Sequence, residues 1–590
     1  MKIVKCLTVL LFLGLYPLDL PAQEKLRTEE EILVIGTRIP VDKIKINRTV
    51  FVITREMITR APVRTVTGLL QSILSVDVRQ RAPLGVQGDL SIRGSKFTQV
   101  QILIDGIKVH DPQTAHHNLD LPLSLADIER IEVLNGQGST TYGENAIGGV
   151  VNIITRKPTD INLSAEILAG QHQTAAGNLA FSFPLNKFGQ SFSLDYQNSD
   201  GFMENRDFST LNLTSLSSLE LPDGHLKLVA GHNRKVFGAA GFYSPLPSRE
   251  WTRTTFAGLS AEWKETTVKA HFRQHYDRFM LDVERPEYFQ SEHTGLSYGL
   301  EGYNRFSIHP GGRMAVGAEI RSDSITSLTL GDHSYRKLGL FTEYSLSHAS
   351  GIFLSSGLRA DLFSSFGSEI SPSLALGYVF SSRSKIRFSI GKAFRIPTFT
   401  ELHYNSPANI GNPDLKAERS LSVEAGFDAY PMGNMRWETT LFYRRDRDLI
   451  DWIRYEDAAV WLAENIRAVD FFGLESGFFY KNWNISYTFL HSWPDSPQKF
   501  ISKYVLNHPV HHLTAGWRIA LPLRLRMDLN GTFKQRKDAR AYATLDVCIS
   551  RVFKNVEGFL RITNLTDIRY EEIPGVPMPG RWFLLGFRFN

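Results

Sequence analysis

From residue 161 to its end the chain alternates apolar and polar positions. Leu163, Ala165, Ile167 and Ala169 share one parity against Asn162, Ser164 and Glu166. Val268, Ala270 and Phe272 alternate with Lys269, His271 and Arg273, and Ile386, Phe388 and Ile390 with Lys385, Arg387 and Ser389. At the C-terminus Phe583, Leu585, Phe587 and Phe589 alternate with Trp582, Leu584, Gly586 and Arg588. A period of two marks strands with unlike faces. Such strands fit a soluble sandwich as well as a barrel. Here the polar face carries many long charged side chains. The pattern also runs for about 430 residues with no linker, where a soluble sandwich of that size would divide into domains.

Connection lengths narrow the choice. Ser371–Phe380 and Lys385–Phe394 are joined by the tight turn Ser381–Ser384, and the long loop Arg395–Ser420 follows. The long loop Ser492–His508 precedes Leu525–Lys534 and the turn Leu521–Leu523. The long loop Thr566–Gly580 precedes the last strand, Arg581–Phe589, while Lys554–Glu557 is a short turn. Short turns alternating with long loops predict a transmembrane β-barrel with its short turns in the periplasm. At about 20 residues per strand and connection the region holds about 22 antiparallel strands of about 10 residues, a size that leaves a lumen to be plugged. Residues 30–158 have a different texture and predict a compact α+β domain.

Composition changes this picture little. The 590 residues are 42% hydrophobic and 22% charged, with a mean hydropathy of −0.17. Neither bulk disorder nor a helical membrane bundle fits. Aromatics reach 11% and suit the interfacial belts of a barrel. A net charge of +5 gives no case for nucleic-acid binding. Lys2 and Lys5 precede an apolar run from Cys6 to Tyr16, and Ala22 ends the stretch. Residues 1–22 read as a signal peptide, too short to span a bilayer well. Its removal leaves Cys548 alone, a strand hydrophobe, so no intrachain disulfide can form.

Candidate chemistry is sparse. Glu31-Ile32-Leu33-Val34-Ile35-Gly36 is a short extended run near the mature N-terminus, within residues 23–38. It reads either as the first strand of a domain or as a segment that joins another protein's sheet edge. Val100, Ile102 and Ile104 lead into Asp105-Gly106, a hairpin signal. The glycines from Gly136 to Gly143 lack phosphate-loop spacing and read as turn glycines. No paired carboxylates, Ser/His/Asp set or calcium loop stands out, so no catalytic residue and no enzyme activity are expected.

Several of these segments, taken in order, resemble the plug of TonB-dependent outer-membrane receptors. They are Ile92-Arg93-Gly94, Asp105-Gly106, Ile128-Glu129-Arg130-Ile131-Glu132-Val133, Tyr142-Gly143 and Ala146 to Ile153. Gly391–Tyr404 with Gly411–Ser420, and Ile562–Asn590, are similar to barrel segments of the same family. Gln137 stands where the family usually has Pro, and Asn590 follows the terminal aromatic Phe589. The cobalamin and ferric-siderophore receptors are the group most resembled.

The resemblance implies a 22-stranded barrel over 161–590 with the plug over 39–158 inside it, in the outer membrane of a Gram-negative bacterium. It makes Glu31–Gly36 the TonB box. It implies a monomer that imports a small metal chelate and takes TonB as partner, with no resident cofactor and no metal site of its own. It turns the loop after the Asp105 hairpin toward the outer vestibule, where Asp111, Gln113, His116, His117 and Asn118 are expected to meet ligand. Adjacent histidines there also raise haem as a ligand. His508, His511 and His512 are expected at the outer rim. Arg93, Glu129, Arg130 and Glu132 are expected to form ion pairs that seat the plug. A passive channel, an adhesin or a secreted β-rich hydrolase are the competing classes.

Overall fold

The computed structural model describes residues 32–589 except 34, 407, 456–457, 459, 496–498 and 538. The signal peptide, Glu31 and Val34 lie outside the described residues. Twenty-two antiparallel strands close into a barrel, from Asn162–Gly170 to Trp582–Phe589. Among the described residues no helix is long and apolar enough to cross a membrane.

Alternation places the lipid face outside. Leu163, Ile167, Phe272, Ile386, Phe388, Leu585 and Phe587 are all exposed, while Arg273, Arg359 and Arg444 are buried against the lumen. An apolar exterior around a charged interior is the reverse of a soluble fold, and only lipid solvates it well. Trp263, Trp437, Trp483 and Trp517 stand exposed beside the short turns, with Trp483 and Trp517 stacked at 4.2 Å. They mark the periplasmic belt.

Strand lengths depart from expectation. They run from 8 residues in Val556–Thr563 to 20 in Gln290–His309, Met435–Arg454 and Trp461–Tyr480. About 10 tilted residues cross the hydrocarbon. The surplus of the last two strands stands above the membrane. There Ile450, Trp452 and Ala463 pack on Leu402 and Leu415 of the long outer loop, which carries the short helix Phe399–His403.

The barrel closes through six residue pairs, Ala165↔Phe589 to Gly170↔Leu584. At this seam Glu166, on the first strand, accepts from Arg588 Nη2 on the last at 2.7 Å. It also accepts from Arg64 of the plug.

The plug fills the lumen. Its five-stranded sheet runs Val50–Ile53, Ile128–Asn135, Gly149–Thr155, Val100–Ile104, Ile107–Lys108, with one parallel pairing, between Val100–Ile104 and Gly149–Thr155. The hairpin forms as expected: Asp105 and Gly106 both have positive φ, 51° and 72°, the turn that suits a right-twisted pair. The Asp105 carboxylate then accepts from Thr155 Oγ1 and from barrel Lys227 Nζ, both at 2.7 Å. Ile102, Ile104, Ile131, Val133, Val151 and Ile153 form the core beneath.

Candidate functional site

The chain leaves the Asp105 hairpin through Ile107–Lys108 and makes the loop 110–122 at the outer end of the plug. Its polar residues divide by role. The Asp111 carboxylate accepts from the backbone N–H of Ala115 at 2.9 Å and of Gln113 at 3.3 Å, and Asn118 Oδ1 accepts from the Asp111 N–H at 2.9 Å. These two residues brace the loop from inside. Asp111, Gln113, His117 and Asn118 are all buried. The expectation that all five residues face ligand is therefore corrected: His116 alone keeps partial exposure, at 11% of its side chain.

His116 sits among aromatic rings. It stacks on Phe97 at 4.1 Å and lies 5.9 Å from Tyr504 and 6.3 Å from Tyr243, residues of two outer loops. Its Nδ1 is 2.7 Å from Asp89 Oδ1, and Arg81 Nη1 donates to Asp89 Oδ2 at 2.6 Å. Burial alone would raise the Asp89 pKa, but Arg81 and His116 hold it well below the usual carboxylate range. Burial lowers His116 below its ordinary value despite Asp89. His116 is thus a neutral imidazole that donates through Nδ1 and keeps the Nε2 lone pair. Gln87 Nε2 donates to the Tyr243 hydroxyl at 2.6 Å and ties plug to outer loop. This floor can stack against a flat, conjugated ligand and offer it an acceptor.

The neighbouring His117 is in the opposite state. Burial would lower it, yet the Asp120 hydrogen bond and the charges of Asp120, Glu250 and Asp277 outweigh burial and push it up to about 10. It lies 3.4 Å from Asp120 and 3.5 Å from Glu250 and stacks on His275 at 4.4 Å. His508 and His512 are buried on the inner face, with His508 bonded to Ser492; His511 points outward to the Tyr487 hydroxyl.

Charged pairs seat the plug. Arg93 donates to both oxygens of barrel Glu475 at 2.7 Å and to Glu424 at 2.6 Å, over the ring of Phe442. Arg130 departs from expectation, since it pairs at 2.8 Å with Glu132, two residues along the same plug strand. Successive inward positions of one strand face the same side, so the bond is internal to the plug. Glu129 is also corrected: it has the opposite parity and is exposed. Other anchors escaped the sequence reading. Asp77 accepts from barrel Lys534 at 3.0 Å and Arg536 at 2.9 Å, Lys96 pairs with Glu418 at 3.3 Å, and Arg38 donates to Glu301 at 2.6 Å. Their signal was the long charges at alternate barrel positions, which identifies a polar lumen but not partners.

Of the N-terminal segment, Ile32 and Leu33 pair with Asp42 and Val41 as a two-residue antiparallel ribbon. Ile35 is fully buried among Ile46, Val50, Leu134 and Val150.

Comparison with known proteins agrees with this architecture. The model described as "TonB dependent receptor-like, beta-barrel" matches residues 137–570, and the "TonB-dependent Receptor Plug Domain" model matches 42–150. The vitamin B12 transporter BtuB of Vibrio vulnificus (strain YJ016) is 22% identical over 94% of this chain and 94% of its own. BtuB of Vibrio cholerae serotype O1 (strain M66-2) is 24% identical over 98% of each. The crystal structure of the siderophore receptor PirA from Acinetobacter baumannii superposes with a TM-score of 0.78, covering 93% of this chain and 99% of that one at 16% identity. The chain therefore belongs to the TonB-dependent receptor family, β-barrels of the Gram-negative outer membrane.

Proposed function

We propose that this protein actively imports a scarce metal-containing ligand, cobalamin or a ferric siderophore, driven by TonB. The observation that carries the reading is the plug itself. It fills the lumen, yet polar and ionic pairs hold it to the wall where a permanent interface would be apolar. Such pairs exchange at little net free energy for others like them, which suits a body that must shift. The family names support the ligand class: the relatives above are transporters of vitamin B12 and a siderophore receptor.

Ligand rests on the floor made by His116, Phe97, Tyr243 and Tyr504. TonB binds Glu31–Gly36 by adding a strand, in competition with the Val41–Asp42 pairing. Two residue pairs must open, and Ile35 must leave its buried place among Ile46, Val50, Leu134 and Val150 before the whole segment is available. Pulling then moves the plug. A cavity of about 420 Å³ separates plug residues such as Leu69 and Ser72 from Thr514, Asp528 and Tyr570 of the wall and outer loop. That side is where displacement disturbs least packing. The outer membrane has no energy source of its own, so coupling is mechanical. The ligand carries the metal, and the transport step uses no catalytic residue and no resident cofactor. The protein works as a monomer.

Haem is the second reading, favoured by His116 Nε2, which the Asp89 bond leaves free. The test is binding of cobalamin, ferric siderophores and haem to the purified protein, followed by uptake in cells. One ligand binds, and deletion of residues 31–36 abolishes its uptake while binding persists. Unchanged uptake after that deletion refutes the import reading and favours a passive channel or adhesin.

A further inference from the structure

Where the plug loop meets the barrel wall, three buried donors converge. His117 comes from the loop; His275 and Asp277 come from inward positions of the strand Thr266–Met280. One donor atom from each lies within 4.8 Å of the others. All three residues are at most 5% exposed, His275 fully buried.

The hydrogen bonds leave the right atoms free. His275 Nδ1 is 2.8 Å from the Thr254 hydroxyl, and its Nε2 has no partner. His117 Nδ1 faces Asp120 Oδ2 at 3.4 Å, which turns its Nε2 away from that carboxylate and toward Glu250, 3.5 Å off. Asp277 Oδ1 and Glu250 Oε2 are also buried without a hydrogen-bond partner. A histidine whose far nitrogen is held by a hydroxyl, as His275 is by Thr254, is oriented as metal-binding histidines are.

Charge supports the same conclusion. Lys235 is bonded to Asp120 at 2.7 Å, and Arg273 faces Asp111 at 3.8 Å. Among the described residues neither Asp277 nor Glu250 has a Lys or Arg partner. Glu250 faces the His117 imidazole at 3.5 Å and Asp277 has no ion pair among the described residues, so a divalent ion between them would compensate both carboxylates. His293 sits opposite Asp277 in the strand register and adds another imidazole to the same wall.

The geometry points to a binding site for one divalent transition-metal ion of the Zn²⁺ class, held by His117, His275 and Asp277 with Glu250 next in line. Two imidazoles and carboxylates suit Zn²⁺, Co²⁺ or Ni²⁺; Ca²⁺ and Mg²⁺ require oxygen sets. Metal–donor distances of about 2.0–2.2 Å require the side chains to draw together. The ion joins plug to wall, so it is a releasable latch, separate from any imported ligand.

The test uses the full-length protein in detergent, stripped with chelator, desalted and titrated calorimetrically with ZnCl₂. One ion binds per molecule, the plug melts at a higher temperature with Zn²⁺, and excess Ca²⁺ does not compete. His275→Ala and Asp277→Asn each weaken binding at least about tenfold, and His511→Ala, on the outer face, leaves it unchanged. Heat-modifiable migration identifies folded variants. Should both variants misfold, Co²⁺ added to the wild-type protein gives the visible ligand-field bands of a nitrogen–oxygen site. Absence of stoichiometric Zn²⁺ binding, undiminished binding in folded variants, or absence of those bands overturns the proposal. Ligand uptake is read separately, so failure here leaves the import reading untouched.

Discussion

Arg93→Ala should loosen the plug without opening the barrel. Arg93 makes three short charged bonds, two to Glu475 and one to Glu424. Glu424 retains Ser389 at 2.8 Å and Arg48 at 3.2 Å after the change. Among the described residues Glu475 retains only a 3.4 Å contact from Asn135, with 1% of its side chain exposed. The substitution thus strands one buried carboxylate, and the expected loss is about 3–5 kcal/mol. For a plug of this size that lowers its melting by about 12 °C or more. Hydrogen exchange reads the effect locally: amides of Val76–Gln80 and Val100–Ile104 exchange faster while barrel amides do not. Adding Glu475→Gln to Arg93→Ala removes the stranded charge and should recover about half the loss. A loss below about 1 kcal/mol, or a double variant as unstable as the single, refutes the claim that this pair seats the plug.

Leu33→Pro removes a backbone donor from the Ile32–Leu33 ribbon and from any strand TonB would add, so uptake should vanish while ligand binding by purified protein is unchanged. His116→Ala removes the ring stacked on Phe97 and should weaken ligand binding about fivefold to tenfold, measured by titration. Acidity should destabilise the plug through His110. Burial, helped by Arg321, pushes its pKa down to about 4. A base whose folded value is depressed stabilises fully above its unfolded value, and that contribution is lost as pH falls from about 6.5 toward 4. By pH 5 the loss is about 2 kcal/mol, and His110→Gln should flatten the plug's melting profile between pH 7 and 5.

Much of the architecture was legible because period two survives every local accident. The parity of Val268, Ala270 and Phe272 placed one face in lipid, and short turns around Ser381 and Leu521 fixed the periplasmic end. The site was less legible. Asp111 and His117 were expected as ligand contacts because the family resemblance turns their loop toward the outer vestibule. The structure instead uses them inside the loop, since a plug enclosed by a barrel has little solvent to face. His275 and Asp277 follow each other at inward positions, but their meeting with His117 joins residues some 160 positions apart by closure alone. Arg93 was found because the motif around it is distinctive; Asp77, Lys96 and Arg38 were not, because nothing local distinguishes a seated charge from a hydrated one.

The seam has a consequence for biogenesis. Its six pairs join the first strand to the last, so the barrel cannot close until the final eight-residue strand has arrived. Until then the nascent sheet presents two raw edges to the periplasm, a state prone to misassociation. Glu166 ties that event to the plug, because its carboxylate gathers Arg64 and Arg588 together. Only a completed cylinder brings Arg588 beside Glu166. Arg588 also donates to the Thr59 carbonyl of the plug, so the plug makes its full set of contacts at this seam only once the last strand is in place.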